Sequence, residues 1–160
     1  IGGMTMSVVK FPKKKSNSKE QKTAIIYCEN NFGKIDGKTA NGLVRYSEKY
    51  KILAVIDSTK AGLDAGKILD NVPNNIPVCS DFKEALRLTD EVPDSFIYGM
   101  APLSGMLSEQ ERGIMLEAIN LGMNIVNGLH QFLNDDPEFV AASVDRPNAH
   151  HRQTHPQLVQ

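Results

Sequence analysis

The sequence predicts an α/β fold: a three-layer, Rossmann-like, doubly wound parallel sheet with strand order 3-2-1-4-5. Three observations predict it. Short, almost continuous apolar runs rich in β-branched residues recur along the chain, as expected of strands buried on both faces. Stretches of helical periodicity separate them. Successive strands also start about 20 to 30 residues apart, too far for hairpins, so right-handed crossovers through helices must join them, which makes the sheet parallel.

The elements follow in order. Thr23–Cys28 (TAIIYC) is the first strand, and a loop with Asn30, Asn31, Gly33, Asp36 and Gly37 follows it. Lys38–Tyr50 reads as a helix, because Ala40, Leu43, Val44 and Ser47 fall on one stripe. Lys51–Ser58 is the second strand. Thr59–Asn71 is a weaker helix, punctuated by Gly62 and Gly66 and followed by Pro73. Ile76–Cys79 is a short third strand. Ser80 or Asp81 caps the next helix, with Glu84 placed for a reciprocal bond to Asp81 and Phe82, Ala85 and Leu86 facing inward. Ser95–Met100 is the fourth strand. Ser108-Glu109-Gln110-Glu111 is a capping box opening a helix whose inner stripe is Ile114, Ala118 and Leu121, and Gly122 suits a left-handed cap. Asn124–Asn127 is the fifth strand, and Leu129–Leu133 and Pro137–Val144 read as helical.

The chain of 160 residues, 41% hydrophobic with a net charge of −1, suits one domain with its own core. Three segments are expected: a Lys-rich mobile leader at 1–22, the Rossmann-like domain at 23–144, and an irregular tail at 145–160. The longest apolar runs fall far short of the roughly 20 residues that span a bilayer. There is no recognisable secretory leader, and two isolated thiols suit a reducing compartment, so the expectation is a cytoplasmic protein with no membrane partner. Six lysines lie between Lys10 and Lys22. Outside that stretch 12 basic residues face 18 acidic ones, the wrong sign for nucleic acid.

In a doubly wound sheet, ligands bind beyond the carboxyl ends of the strands where the strand order reverses. That point lies between the first and fourth strands, so the loops 29–38 and 101–107 meet there, flanked by 57–62 and 127–130. Gly33-x-x-x-Gly37-Lys38-Thr39 resembles a P-loop but is one residue short between its glycines. The start of the Lys38 helix suits an anion; the alternative is a glycine-bearing turn with Lys38 solvated. Asp57, with Ser58 and Thr59, ends the second strand where dinucleotide folds place a ribose-binding acid, or else caps the next turn. Lys60 beside it draws a phosphate or is merely exposed. In the other loop Pro102 stiffens the chain and Gly105, beside Ser104, lets backbone approach a ligand; the alternative is a plain strand-to-helix connection. His130 is the lone histidine within the predicted fold, either an acid or base or a structural residue at a helix start. Cys28 is a core residue or a nucleophile. His150, His151 and His155 lie in the expected tail, where nothing preorganises a metal site.

Several loop strings add a resemblance. Phe32–Ala40 (FGKIDGKTA) with Leu43–Ser47 (LVRYS), Val55–Gly62 (VIDSTKAG), Asp64-Ala65-Gly66 and Gly128–Leu133 (GLHQFL) resemble the amino-terminal half of a bacterial and archaeal family long of unknown function. Some of its members are described as D-glutamate N-acyltransferases of the DgcN type. The resemblance covers residues 23–144. It implies a Rossmann-like part followed by a P-loop part that this chain stops short of, hence a truncated fragment inactive by itself. It also implies acyl transfer to a D-amino acid from an acyl-CoA. The ligand expected is a small anionic molecule, with a nucleotide or an acyl-CoA as cofactor. A stand-alone nucleotide- or CoA-binding module and a homo-oligomerisation domain are the competing readings.

Overall fold

Five of the strands are where buried apolar runs place them. The computed structural model of the chain describes residues 21–100, 106–127, 137–144 and 158–159. Strands β1 (Lys22–Tyr27), β2 (Tyr50–Ile56), β3 (Val78–Cys79), β4 (Ser95–Tyr98) and β5 (Asn124–Val126) alternate with helices α1 (Lys38–Tyr46), α2 (Ala65–Asp70), α3 (Phe82–Leu88) and α4 (Glu109–Asn120). Helix α5 (Pro137–Val144) and strand β6 (Leu158–Val159) complete the order. The sheet runs β3-β2-β1-β4-β5-β6, every pair parallel, so the expected order 3-2-1-4-5 stands with one strand added at its edge. β6 pairs with β5 from within the expected irregular tail. Two residues carry no periodicity that sequence could reveal, and an unpaired β5 edge is needed to recruit them.

Side chains on a strand alternate between faces, and the two cores follow that alternation. Ala24, Ile26 and Cys28 of the first segment pack with Val55, Val78 and Ile97 beneath Ala40 of α1 and Ala65 of α2. Ile25 and Tyr27 pack with Phe96, Tyr98 and Ile125 beneath Phe82 of α3, Met115, Ala118 and Ile119 of α4, and Phe139 of α5. The result is three layers around one sheet.

Helix boundaries shift where side-chain bonds intervene. α1 ends at Tyr46 rather than Tyr50, because the Ser47 hydroxyl accepts from the Tyr50 amide (3.0 Å) and turns the chain into β2. The expected helix 59–71 divides into a 3-10 turn (Ser58–Lys60) and α2, separated by Gly62 at φ +90° and restarted by the Asp64 cap. α3 is capped by Asp81, but Glu84 reaches back to the amide and hydroxyl of Ser80 rather than to Asp81. The capping box of Ser108 and Glu111 forms as expected. Along α4 the fully buried stripe is Met115, Ala118 and Ile119, with Ile114 and Leu121 only partly covered.

β1 and β4, distant in sequence, are locked at both ends. At the amino end the Asp94 carboxylate accepts from the Thr23 amide (3.0 Å) while the Thr23 hydroxyl accepts from the Asp94 amide (3.0 Å). At the carboxyl end the Gly99 amide donates to the Tyr27 carbonyl (2.9 Å). In between, Ala24 to Tyr27 pair with Ser95 to Tyr98 in unbroken register.

Candidate functional site

The strand order reverses between β1 and β4, and the segments leaving those strands touch. The Ala40 amide, in the first turn of α1, donates to the Gly99 carbonyl (3.1 Å), and the Asn31 side-chain amide contacts the Met100 sulfur (3.2 Å). Gly99 is required there, since an added Cβ would stand 2.7 Å from Ile26 Cγ2 and 2.9 Å from Ala40 Cβ.

The loops after β1 and β2 are laced together by two carboxylates pointing in opposite directions. Asp57, wholly buried, reaches back: Oδ1 accepts from the amides of Asn30 (3.0 Å) and Thr59 (3.0 Å) and from the Thr59 hydroxyl (2.6 Å), and Oδ2 accepts from the Phe32 amide (3.1 Å). Lys60 Nζ lies 3.9 Å from Oδ2. Glu29 reaches forward, its carboxylate accepting from the Ser58 amide (2.8 Å) and from the Ser58 hydroxyl. Of the two readings open for Asp57, the structure shows the turn cap, extended into a clamp on the preceding loop. Ser58 likewise spends both its donors on Glu29.

Gly33, at φ +85°, gives its amide to Asn41 Oδ1 of α1 (2.9 Å), and the Asn41 amide returns a bond to the Lys34 carbonyl (3.1 Å). Gly37 is buried against Cys28, and a Cβ there would stand 2.8 Å from Cys28 Sγ and strike the Asn31 carbonyl. Its own amide donates to Lys34, and that of Lys38 to Ile35. The loop therefore folds on itself, and the amides of Asn30, Phe32 and Gly33 have side-chain acceptors. Lys38 and Thr39 stand exposed at the start of α1, with no ion-pair partner for Lys38 among the described residues. Cys28 lies buried behind them, its thiol pushed up to about 12 mainly by burial, with the Asp57 charge adding to the rise. A thiol held protonated this way is a core residue, not a nucleophile.

The opposite face of the same edge is aromatic. The rings of Tyr27 and Tyr98 stack 5.7 Å apart, and the Tyr98 hydroxyl donates to Glu111 (2.8 Å), the acid of the α4 capping box. Burial above all raises both phenols over their ordinary range, followed for Tyr27 by the negative charge of Glu111 and for Tyr98 by its hydrogen bond to Glu111 and then that charge. Tyr27, Phe96, Tyr98, Glu111, Ile114 and Met115 close against one another there and leave no room for a water molecule.

Pro102, Ser104, Gly105 and His130 lie outside the described residues, as do His150, His151 and His155. Sequence reasoning missed Glu29, Asn41 and the Tyr98–Glu111 pair. The sole local trace of the first was an acid at the end of a strand facing Ser and Thr after the next one. Among the described residues no group of His, Cys, Asp and Glu suits a metal ion, and no helix is long and apolar enough to cross a membrane.

An all-parallel sheet covered on both faces, its strand order reversing between β1 and β4, defines a Rossmann-like α/β domain. Residues 58–149 match the family described as "Domain of unknown function (DUF1611_N) Rossmann-like domain", and the chain belongs to that family. It is similar to the crystal structure of a DUF1611 family protein from Anabaena variabilis ATCC 29413, with a TM-score of 0.66 and 29% identity. The match covers 76% of this chain and 34% of that one, so this chain spans about a third of that protein's length. No curated protein matches.

Proposed function

We propose that this chain is the ligand-binding, Rossmann-like part of a larger DUF1611 enzyme that transfers an acyl group to the amine of a D-amino acid, D-glutamate by the resemblance of its loop strings. The observation that carries the reading is the pairing of β1 with β4, which brings the segments leaving them together at the carboxyl edge. A crevice at that position is where doubly wound sheets take their ligands. Lys38, exposed at the rim, would meet a carboxylate or phosphate of the ligand through its side chain. Thr39 stands beside it. Pro102, Ser104 and Gly105 would border the crevice from the other loop.

In the transfer itself the amine nitrogen attacks the carbonyl carbon of the acyl thioester, the C–S bond breaks with its electron pair leaving on the CoA sulfur as thiolate, and the amine proton passes to a base. His130 is the residue proposed for that proton. The length of the Anabaena protein leaves room for a second part, and the P-loop part implied by the resemblance would bind the remainder of the substrates.

The test is a thermal-shift screen of nucleotides, CoA esters and D-amino acids, followed by calorimetry on Lys38→Ala. A saturable shift with a CoA ester or D-glutamate, weakened about tenfold in Lys38→Ala, supports the reading; one lost charge-assisted contact is worth about 1.5 kcal/mol. Equal affinity in variant and parent removes the anion from Lys38. A concentration-dependent dimer with no ligand response overturns the reading in favour of an assembly domain.

A further inference from the structure

In dinucleotide-binding sheets the loop after the first strand is a nest of backbone amides that receives the ligand's pyrophosphate. Here the corresponding loop, residues 29–37, has the same need for an acceptor, because its turns leave the Asn30 and Phe32 amides pointing away from any ladder partner. What they meet is the Asp57 carboxylate, at 3.0 and 3.1 Å, one oxygen for each. The same carboxylate gathers the Thr59 amide and hydroxyl and has Lys60 Nζ 3.9 Å away. Two amides from one loop, one amide and a hydroxyl from the next, and a lysine nearby form the donor set of a phosphate site, wrapped around an internal anion with no exposed surface.

We infer that Asp57 is a specificity-determining residue: its carboxylate is a built-in anion that occupies the phosphate position of the loop after β1, so this domain refuses a ligand phosphate there. The inference depends on the bonds to Asp57 and on no choice of ligand or reaction, so it survives if the acyltransferase reading fails. It also restricts that reading. An acyl-CoA or nucleotide in the crevice must present its phosphates elsewhere than at the Asn30 and Phe32 amides.

Two measurements test it. In the wild-type chain, titration with inorganic phosphate followed by amide NMR leaves the Asn30, Phe32 and Thr59 resonances unmoved, relative to chloride at matched ionic strength. In Asp57→Ala the melting temperature falls. Formate or phosphate, added at matched ionic strength, raises it again by about 3 °C with no such rise in the wild type, as binding to the folded state alone requires. Saturable movement of the wild-type amides overturns the inference. So does an Asp57→Ala variant that folds but gains nothing from either anion. If Asp57→Ala does not fold, the wild-type titration decides the matter by itself. Lys38→Ala leaves both results unchanged, which separates this inference from the ligand reading above.

Discussion

The two faces of the sheet at its carboxyl edge are built in opposite ways. On the α1 face the chain closes with backbone bonds and glycines: Asp57, Glu29 and Asn41 take up loop donors, and Gly37 and Gly99 let segments approach to contact distance. On the α4 face the closure is aromatic, with Tyr27, Phe96 and Phe82 stacked or edge-on, and one side-chain bond, Tyr98 to Glu111, at the rim. The first face depends on the absence of side-chain volume and the second on its presence. The same fold therefore has one side intolerant of added atoms and another intolerant of lost ones.

Five predictions sharpen or break that contrast. The largest effect belongs to Phe96→Ala, expected to lose about 4 kcal/mol in urea unfolding, since Phe96 is 1% exposed between Tyr27 and Phe82. A loss below about 2 kcal/mol would mean that this face is loosely packed. Gly37→Ala comes next, at about 3 kcal/mol, because the added methyl meets Cys28 and the Asn31 carbonyl and the loop must move. A neutral result would show the α1 face to be less tightly closed than its bonds imply. Tyr98→Phe is expected to cost about 1 kcal/mol, the worth of one hydrogen bond to a carboxylate that keeps its capping partner. An unchanged urea midpoint would remove that bond from the account.

The smallest effect near neutrality is the pH dependence, which concerns both faces. Cys28 is pushed from 9.0 up to about 12 and Cys79 up to about 11, burial first in each case. A group whose folded pKa is raised stabilises fully below its unfolded value, and that contribution is lost as pH climbs toward the folded value. Stability should therefore hold up to pH 9 and fall from there to about 12, with the two tyrosines adding to the fall in the same direction. Urea midpoints that stay level or rise above pH 9 would contradict the burial of these groups. Alkylation should likewise leave both thiols unmodified in the folded protein at about pH 8 and label them only on unfolding.

Much of the fold was legible in the residue order, and little of the site was. Runs such as Ala24–Tyr27 and Ile52–Ile56 are apolar without alternation, which marks strands covered on both faces. Ser108 and Glu111 announced the start of α4 because a capping box is a local motif. The bonds between the two loops join residues 25 or more apart, such as Glu29 with Ser58 and Phe32 with Asp57. Neither partner carries a periodicity that names the other. From sequence, Lys38 was read toward an anion and Asp57 toward a ribose hydroxyl or a turn cap. The structure instead leaves Lys38 exposed at the rim and turns Asp57 inward as the anion itself.

By itself, the sequence determined the class of fold, the order of its elements and the place where strand order reverses, because burial period, helix capping and crossover handedness are properties of short segments and of chirality. Only the tertiary structure decided what fills the crevice wall. Which of several acids meets which of several amides depends on where parallel strands end relative to one another, and that register is set by packing across the whole sheet.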